Sequence, residues 1–217
     1  MVKEIISIII KDVQLEWRNK FSLVGIFIQV LSAVFIVYLA IPSLNDATQN
    51  SLFWIIIVFS SLNPLAKSFL GDTFQTNNYY KQLIRPEINM RAKLIYNLLL
   101  INFIIFLVWG TFNLLIGNEN GNKVYYLLSL LLAGSAISAS FTLMSAMANK
   151  VKNGFLVLPV ISLPIIIPVL LVGIKSSKKA MDDFPLNLMY SEWLLQLMLA
   201  IFCYIMAEIL YIILEEK

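Results

Sequence analysis

Six apolar stretches of about twenty residues dominate this sequence: Phe21 to Ile41, Ser51 to Leu70, Leu94 to Ile116, Val124 to Ala148, Phe155 to Ile174 and Trp193 to Leu214. A bilayer core about 30 Å thick needs roughly 20 helical residues, because each rises about 1.5 Å and lipid offers free backbone groups no partner. Four of the stretches hold no charge, the second holds only Lys67 and the sixth only Glu208. The expected fold is therefore all-α: a polytopic membrane protein with six transmembrane helices. Composition agrees, since 13% of residues are charged against about 25% in a soluble domain. No polar stretch is long enough to enclose a second core.

Basic loops are retained on the cytoplasmic side. With both termini there, the inner pieces hold Lys3, Lys11, Arg18, Lys20, Lys81, Arg85, Arg91, Lys93, Lys150, Lys152 and Lys217, while the outer pieces hold only Lys123, Lys175, Lys178 and Lys179. Trp54, Tyr125, Tyr126, Tyr190 and Trp193 fall at the outer ends of spans, where headgroup-level aromatics are expected. No cleavable signal peptide is expected, because the first apolar run is long enough to span and no A-x-A-like site follows it.

Residues 1–20 have helical periodicity of another kind. Val2, Ile5, Ile6, Ile9, Ile10, Val13 and Trp17 share one face with Lys3 at its margin, while Glu4, Lys11, Asp12 and Arg18 lie opposite. That is the pattern of a helix lying in the cytoplasmic membrane interface. The expected organisation is an interfacial helix over 1–20, then a membrane domain over 21–217 with a cytoplasmic loop at 71–93.

The chain has no histidine, which removes HExxH metal hydrolysis, Ser-His or Cys-His nucleophilic catalysis and histidine ligation of haem. Cys203 is the only cysteine and sits in an apolar run, so neither an internal disulfide nor a CxxC site exists. There is no GxxxxGK[ST] loop to hold a nucleotide's phosphates. A net charge of +3, without a basic face, argues against a nucleic-acid partner. If ATP drives this protein, another polypeptide hydrolyses it.

Four features stand out against that background. The inner loop contains Phe74 to Ile84, with apolar residues spaced for a short amphipathic helix that Pro86 would end. The fourth span is dense in small residues from Ala133 to Ala146, which predicts central packing. Pro159, Pro164 and Pro168 interrupt the fifth span and predict a kink or partial unwinding. Lys67 and Glu208 are intramembrane charges at comparable depth, for which an inward-facing ion pair or snorkelling is the economical account and a substrate or proton role the alternative.

Three passages bring these features together: LFWIIIVFSSL at 52–62 with Asp72 following, KQLIRP at 81–86 leading to Ala92 and Lys93, and LVLPVISLPIIIP at 156–168. They resemble the ABC-2 type permeases and, among these, the haem exporter protein B (CcmB) family of bacterial cytochrome c maturation. The family's acidic-Gly-x-Leu-Glu pattern after span two is replaced here by TNNYY at 76–80. The resemblance implies a non-enzymatic inner-membrane permease subunit that docks a cytoplasmic ATPase of the CcmA type. It also implies partners of the CcmC and CcmD types, and ATP use tied to releasing the haem-loaded chaperone CcmE. It assigns ATPase coupling to Asp72, Tyr80, Gln82, Leu83, Arg85 and Pro86. No cofactor is expected on the chain itself, ATP acting through the partner and haem being a handled ligand. The alternatives left open are an ABC-2 permease for a drug, lipid or polysaccharide, an ion-coupled secondary carrier using Glu208, and a non-transporting scaffold.

Overall fold

A computed structural model describes residues 2–18, 20–41, 45–70, 85–117, 121–151 and 154–215. Its helices are α1 (Val2–Arg18), α2 (Lys20–Ala40), α3 (Asp46–Leu70), α4 (Pro86–Leu115), α5 (Lys123–Ala148), α6 (Gly154–Met181) and α7 (Tyr190–Glu215), with a 3-10 turn at Leu186–Leu188. Six of them, α2 to α7, are long and apolar enough to cross a membrane. Among the described residues there is no strand. The chain is an all-α, multi-pass membrane protein.

The small-residue span sits at the centre. Of the α5 span 72% is buried, against 17% for α2. Its hydroxyls reach all four of its principal neighbours. Ser145 donates to the Ala66 carbonyl of α3 at 2.7 Å, Thr142 accepts from the Asn97 amide of α4 at 2.8 Å, Ser129 accepts from Ser176 of α6 at 2.7 Å, and Ser140 donates to Cys203 Sγ of α7 at 3.3 Å. Small side chains permit that approach. A Cβ on Gly134 would meet the Ile105 side chain of α4.

Two helices run seven or more residues past an expected end. α4 starts at Pro86 rather than Leu94, so the end of the expected loop forms two helical turns. Pro86 occupies the first turn, where its missing N–H costs nothing and its fixed φ suits the helix, and Arg85 ahead of it is extended at φ −60° and ψ 138°. α6 continues to Met181, seven residues past the expected end at Ile174, and carries Lys175, Lys178 and Lys179 on its last turns.

α6 stays helical through Pro159, Pro164 and Pro168, with no unwound turn. Each proline instead leaves one carbonyl four residues back without its usual donor. Pro64 does the same within α3, a position the sequence reading did not weigh. α3 and α6 flank a cleft of about 300 Å³ whose walls include Val58, Leu62, Pro159, Leu163 and Ile167.

Candidate coupling site at the Arg85 end of the bundle

Residues 71–84 leave α3 at Leu70 and join α4 at Arg85, so the turns of helix at those two points set where the segment is presented. Asp72, Tyr80, Gln82, Leu83 and the expected helix over 74–84 lie outside the described residues. Arg85 is exposed and Pro86 is half-buried. The site can therefore be built from the residues that hold the segment's two attachment points.

The attachment on α4 is held from three directions. From α1, Ile8 packs on Ile88 and Ala92, and Asp12 Oδ2 lies 3.2 Å from Lys93 Nζ. From α3, the ring of Phe69 sits beneath the Lys93 ammonium, 5.9 Å to the centroid. From α7, the Tyr211 hydroxyl accepts from the Asn89 amide at 3.1 Å, and Glu208 receives Arg91. Phe69 and Tyr211 meet at 5.3 Å between centroids, closing the ring of contacts through the other attachment point. Four helices thus converge on the turns that frame residues 71–84.

The Asp12–Lys93 pair is the electrostatic core of this junction. Asp12 is 7% exposed and Lys93 5%, so both charges are taken out of water, which is tolerable only with a close counter-charge. Lys11 Nζ, at 3.1 Å, lies against the second Asp12 oxygen. Sequence reasoning missed this pair, because the amphipathic pattern put Asp12 on the polar side of α1. The available signal was spacing: Asp12 follows Ile5, Ile8 and Ile9 at helical intervals, and that flank faces α4. A second flank, with Val2, Ile6, Ile10, Val13 and Trp17, stays uncovered.

Glu208 does not pair with Lys67. Arg91 Nε is 2.7 Å from Glu208 Oε1 and Nη2 is 3.3 Å from Oε2, because the early start of α4 brings Arg91 alongside the end of α7. Lys67 is exposed in the last turn of α3. Of the three α6 prolines, Pro159 is half-buried at the cleft, while Pro164 and Pro168 face outward.

The opposite end of the bundle is tied by a different network. Trp54 is 1% exposed and donates its indole N–H to Ser177 at 2.9 Å, which donates to Asn50 Oδ1 at 2.8 Å. Trp193 donates to Ser129 at 2.8 Å. Trp54 and Tyr126 are therefore buried packing residues rather than members of a headgroup belt, and Tyr190 is the exposed one. Glu192, one residue ahead of the expected sixth span, is buried between Lys179 at 2.7 Å and Lys175 at 3.3 Å.

Among the described residues no three acidic or cysteine side chains lie close enough to share a metal ion. The cleft between α3 and α6 is lined by apolar side chains and Ser162, whose hydroxyl donates to the Pro159 carbonyl. Such a wall offers no counter-charge to the carboxylates of a haem.

Neither a curated protein nor a solved structure matches the chain. The sequence profile of the CcmB protein family matches residues 3–210, which takes in α1 from Lys3, the spans α2 to α6, α7 as far as Leu210, and the junction residues other than Tyr211. The chain belongs to the CcmB family and is a membrane component of the haem exporter of cytochrome c maturation.

Proposed function

We propose that this chain is the permease subunit of an ATP-driven assembly in the bacterial inner membrane, with both termini in the cytoplasm. A separate CcmA-like ATPase docks on the segment from Asp72 to Arg85, beside CcmC-like and CcmD-like membrane subunits. ATP-driven closure of the ATPase presses on that segment. The displacement enters α3 and α4 at their junction ends and passes through α5 to the opposite end of the bundle, where the haem-loaded chaperone CcmE is released.

The observation that supports this reading is the convergence of α1, α3, α4 and α7 on the two attachment points of residues 71–84. Such a junction transmits a push to the central α5 through packed side chains. An indirect role toward haem agrees with a chain that has no histidine. Glu208, the main support for an ion-coupled carrier, is engaged by Arg91.

Pull-down of the ATPase on detergent-solubilised chains carrying Leu83→Ala or Arg85→Glu is the direct test. Recovery should fall while membrane insertion is kept. Undiminished recovery with both variants would sink the assignment.

A further inference from the structure

α4 begins one residue after Arg85, so a force on residues 71–84 is a force on its first turns. On the α1 side those turns meet two kinds of contact. One is a small apolar patch, Ile8 against Ile88 and Ala92. The other is the ion pair of Asp12 with Lys93, both side chains less than a tenth exposed. Apolar burial is non-directional: it opposes separation of two helices and does little against sliding or rotation. A buried ion pair behaves in the opposite way. Its attraction is largely offset by desolvation, so it adds little net stability, yet it is satisfied in one register only.

We infer that Asp12 and Lys93 are positioning residues that fix the register of α1 against the start of α4. The inference rests on the coupling reading above. The uncovered flank of α1, with Val2, Ile6, Ile10, Val13 and Trp17, seats in lipid and makes α1 a fixed bearing. The pair locks α4 to that bearing. A push on the segment is then carried into α4 and α5, where without the pair it would be lost as slippage of α1. Lys11, 3.1 Å from the second Asp12 oxygen, helps hold the carboxylate in place.

The test uses the full chain with its ATPase, in cells deleted for their own copy. It reads the amount of folded chain in the membrane, and the ratio of haem-stained c-type cytochrome formed to ATP hydrolysed per complex. In Asp12→Leu with Lys93→Met the patch is enlarged and the register is lost. This variant should insert and fold, and its ratio should fall about tenfold or more, the scale of a typical coupling between sites. In Asp12→Lys with Lys93→Asp the pair is reversed but the register is kept, and the ratio should return to within about threefold of the unaltered chain.

A merely structural pair would lower folded chain and product together and leave the ratio alone. An unchanged ratio in the apolar variant overturns the inference, as does a reversed pair that folds and stays uncoupled; the second result needs no apolar variant to fold. Arg85→Glu separates this from the coupling reading. If it and Leu83→Ala both leave ATPase recovery intact, the coupling reading fails; if it lowers recovery while the apolar variant keeps its ratio, only the present inference fails.

Discussion

Arg91 holds Glu208 through two nitrogens, Nε at 2.7 Å and Nη2 at 3.3 Å, so the start of α4 and the end of α7 share a two-point ionic contact. Both side chains remain over a third exposed, and ion pairs so placed are worth little. Glu208→Gln should therefore reduce cytochrome output by no more than about fivefold. A complete loss of output in complementation, not recovered by Arg91→Glu with Glu208→Arg, would mean that Glu208 acts directly on protons or substrate.

The Asp12–Lys93 pair is deeper and should respond differently. Lys93→Met alone leaves the buried Asp12 carboxylate with Lys11 as its remaining counter-charge and should cost up to about 3 kcal/mol, whereas adding Asp12→Leu should recover most of it. Thermal unfolding of the detergent-solubilised chain measures both. Equal losses for the single and double variants would show that packing, not charge, governs the contact.

Gly121 has φ +82°, and a Cβ there would run into the backbone carbonyls of Ala180 and Met181 at the end of α6. Backbone cannot step aside as a side-chain tip can. Gly121→Ala should cost more than about 1 kcal/mol, while Gly134→Ala, which meets only the far end of the Ile105 side chain, should cost less. A reversed order in thermal midpoints would refute the close approach of Gly121 to α6.

Ser177 accepts from Trp54 Nε1 and donates to Asn50 Oδ1, with all three residues buried. Ser177→Ala leaves two buried polar groups on α3 unpaired and should cost about 1–3 kcal/mol. Trp54→Phe in the same chain should then cost less than it does alone, by the coupling between neighbours that share one network. Additive costs in a double-mutant cycle would show that the network is not cooperative.

The spans were legible because hydrocarbon imposes length and polarity on every helix that crosses it, and Ala133 to Ala146 declared a central helix by side-chain size alone. Helix ends were not legible in the same way. The start of α4 at Pro86 and the extension of α6 past Ile174 involve polar residues, and apolar periodicity says nothing about those. The pairing of Arg91 with Glu208 depended on that missed extension. Asp12 was misplaced because a two-sided amphipathic pattern assumes one wet face, whereas α1 has a flank against α4 and a second, uncovered apolar flank. The residues of the loop itself carry the function proposed here and are the part that helix physics constrains least.

α4 runs without interruption for 30 residues, about 45 Å at 1.5 Å per residue, against a hydrocarbon core of about 30 Å. No proline lies inside it beyond its first turn, so it lacks the proline bending points that α3 and α6 carry. It will tilt as a stiff rod. A rotation of about 5° displaces one end of such a rod by about 4 Å relative to the other, enough to open or close a side-chain contact. Leu115 therefore moves whenever Pro86 does, and a displacement delivered at one face of the membrane needs no rearrangement within it to be felt at the other.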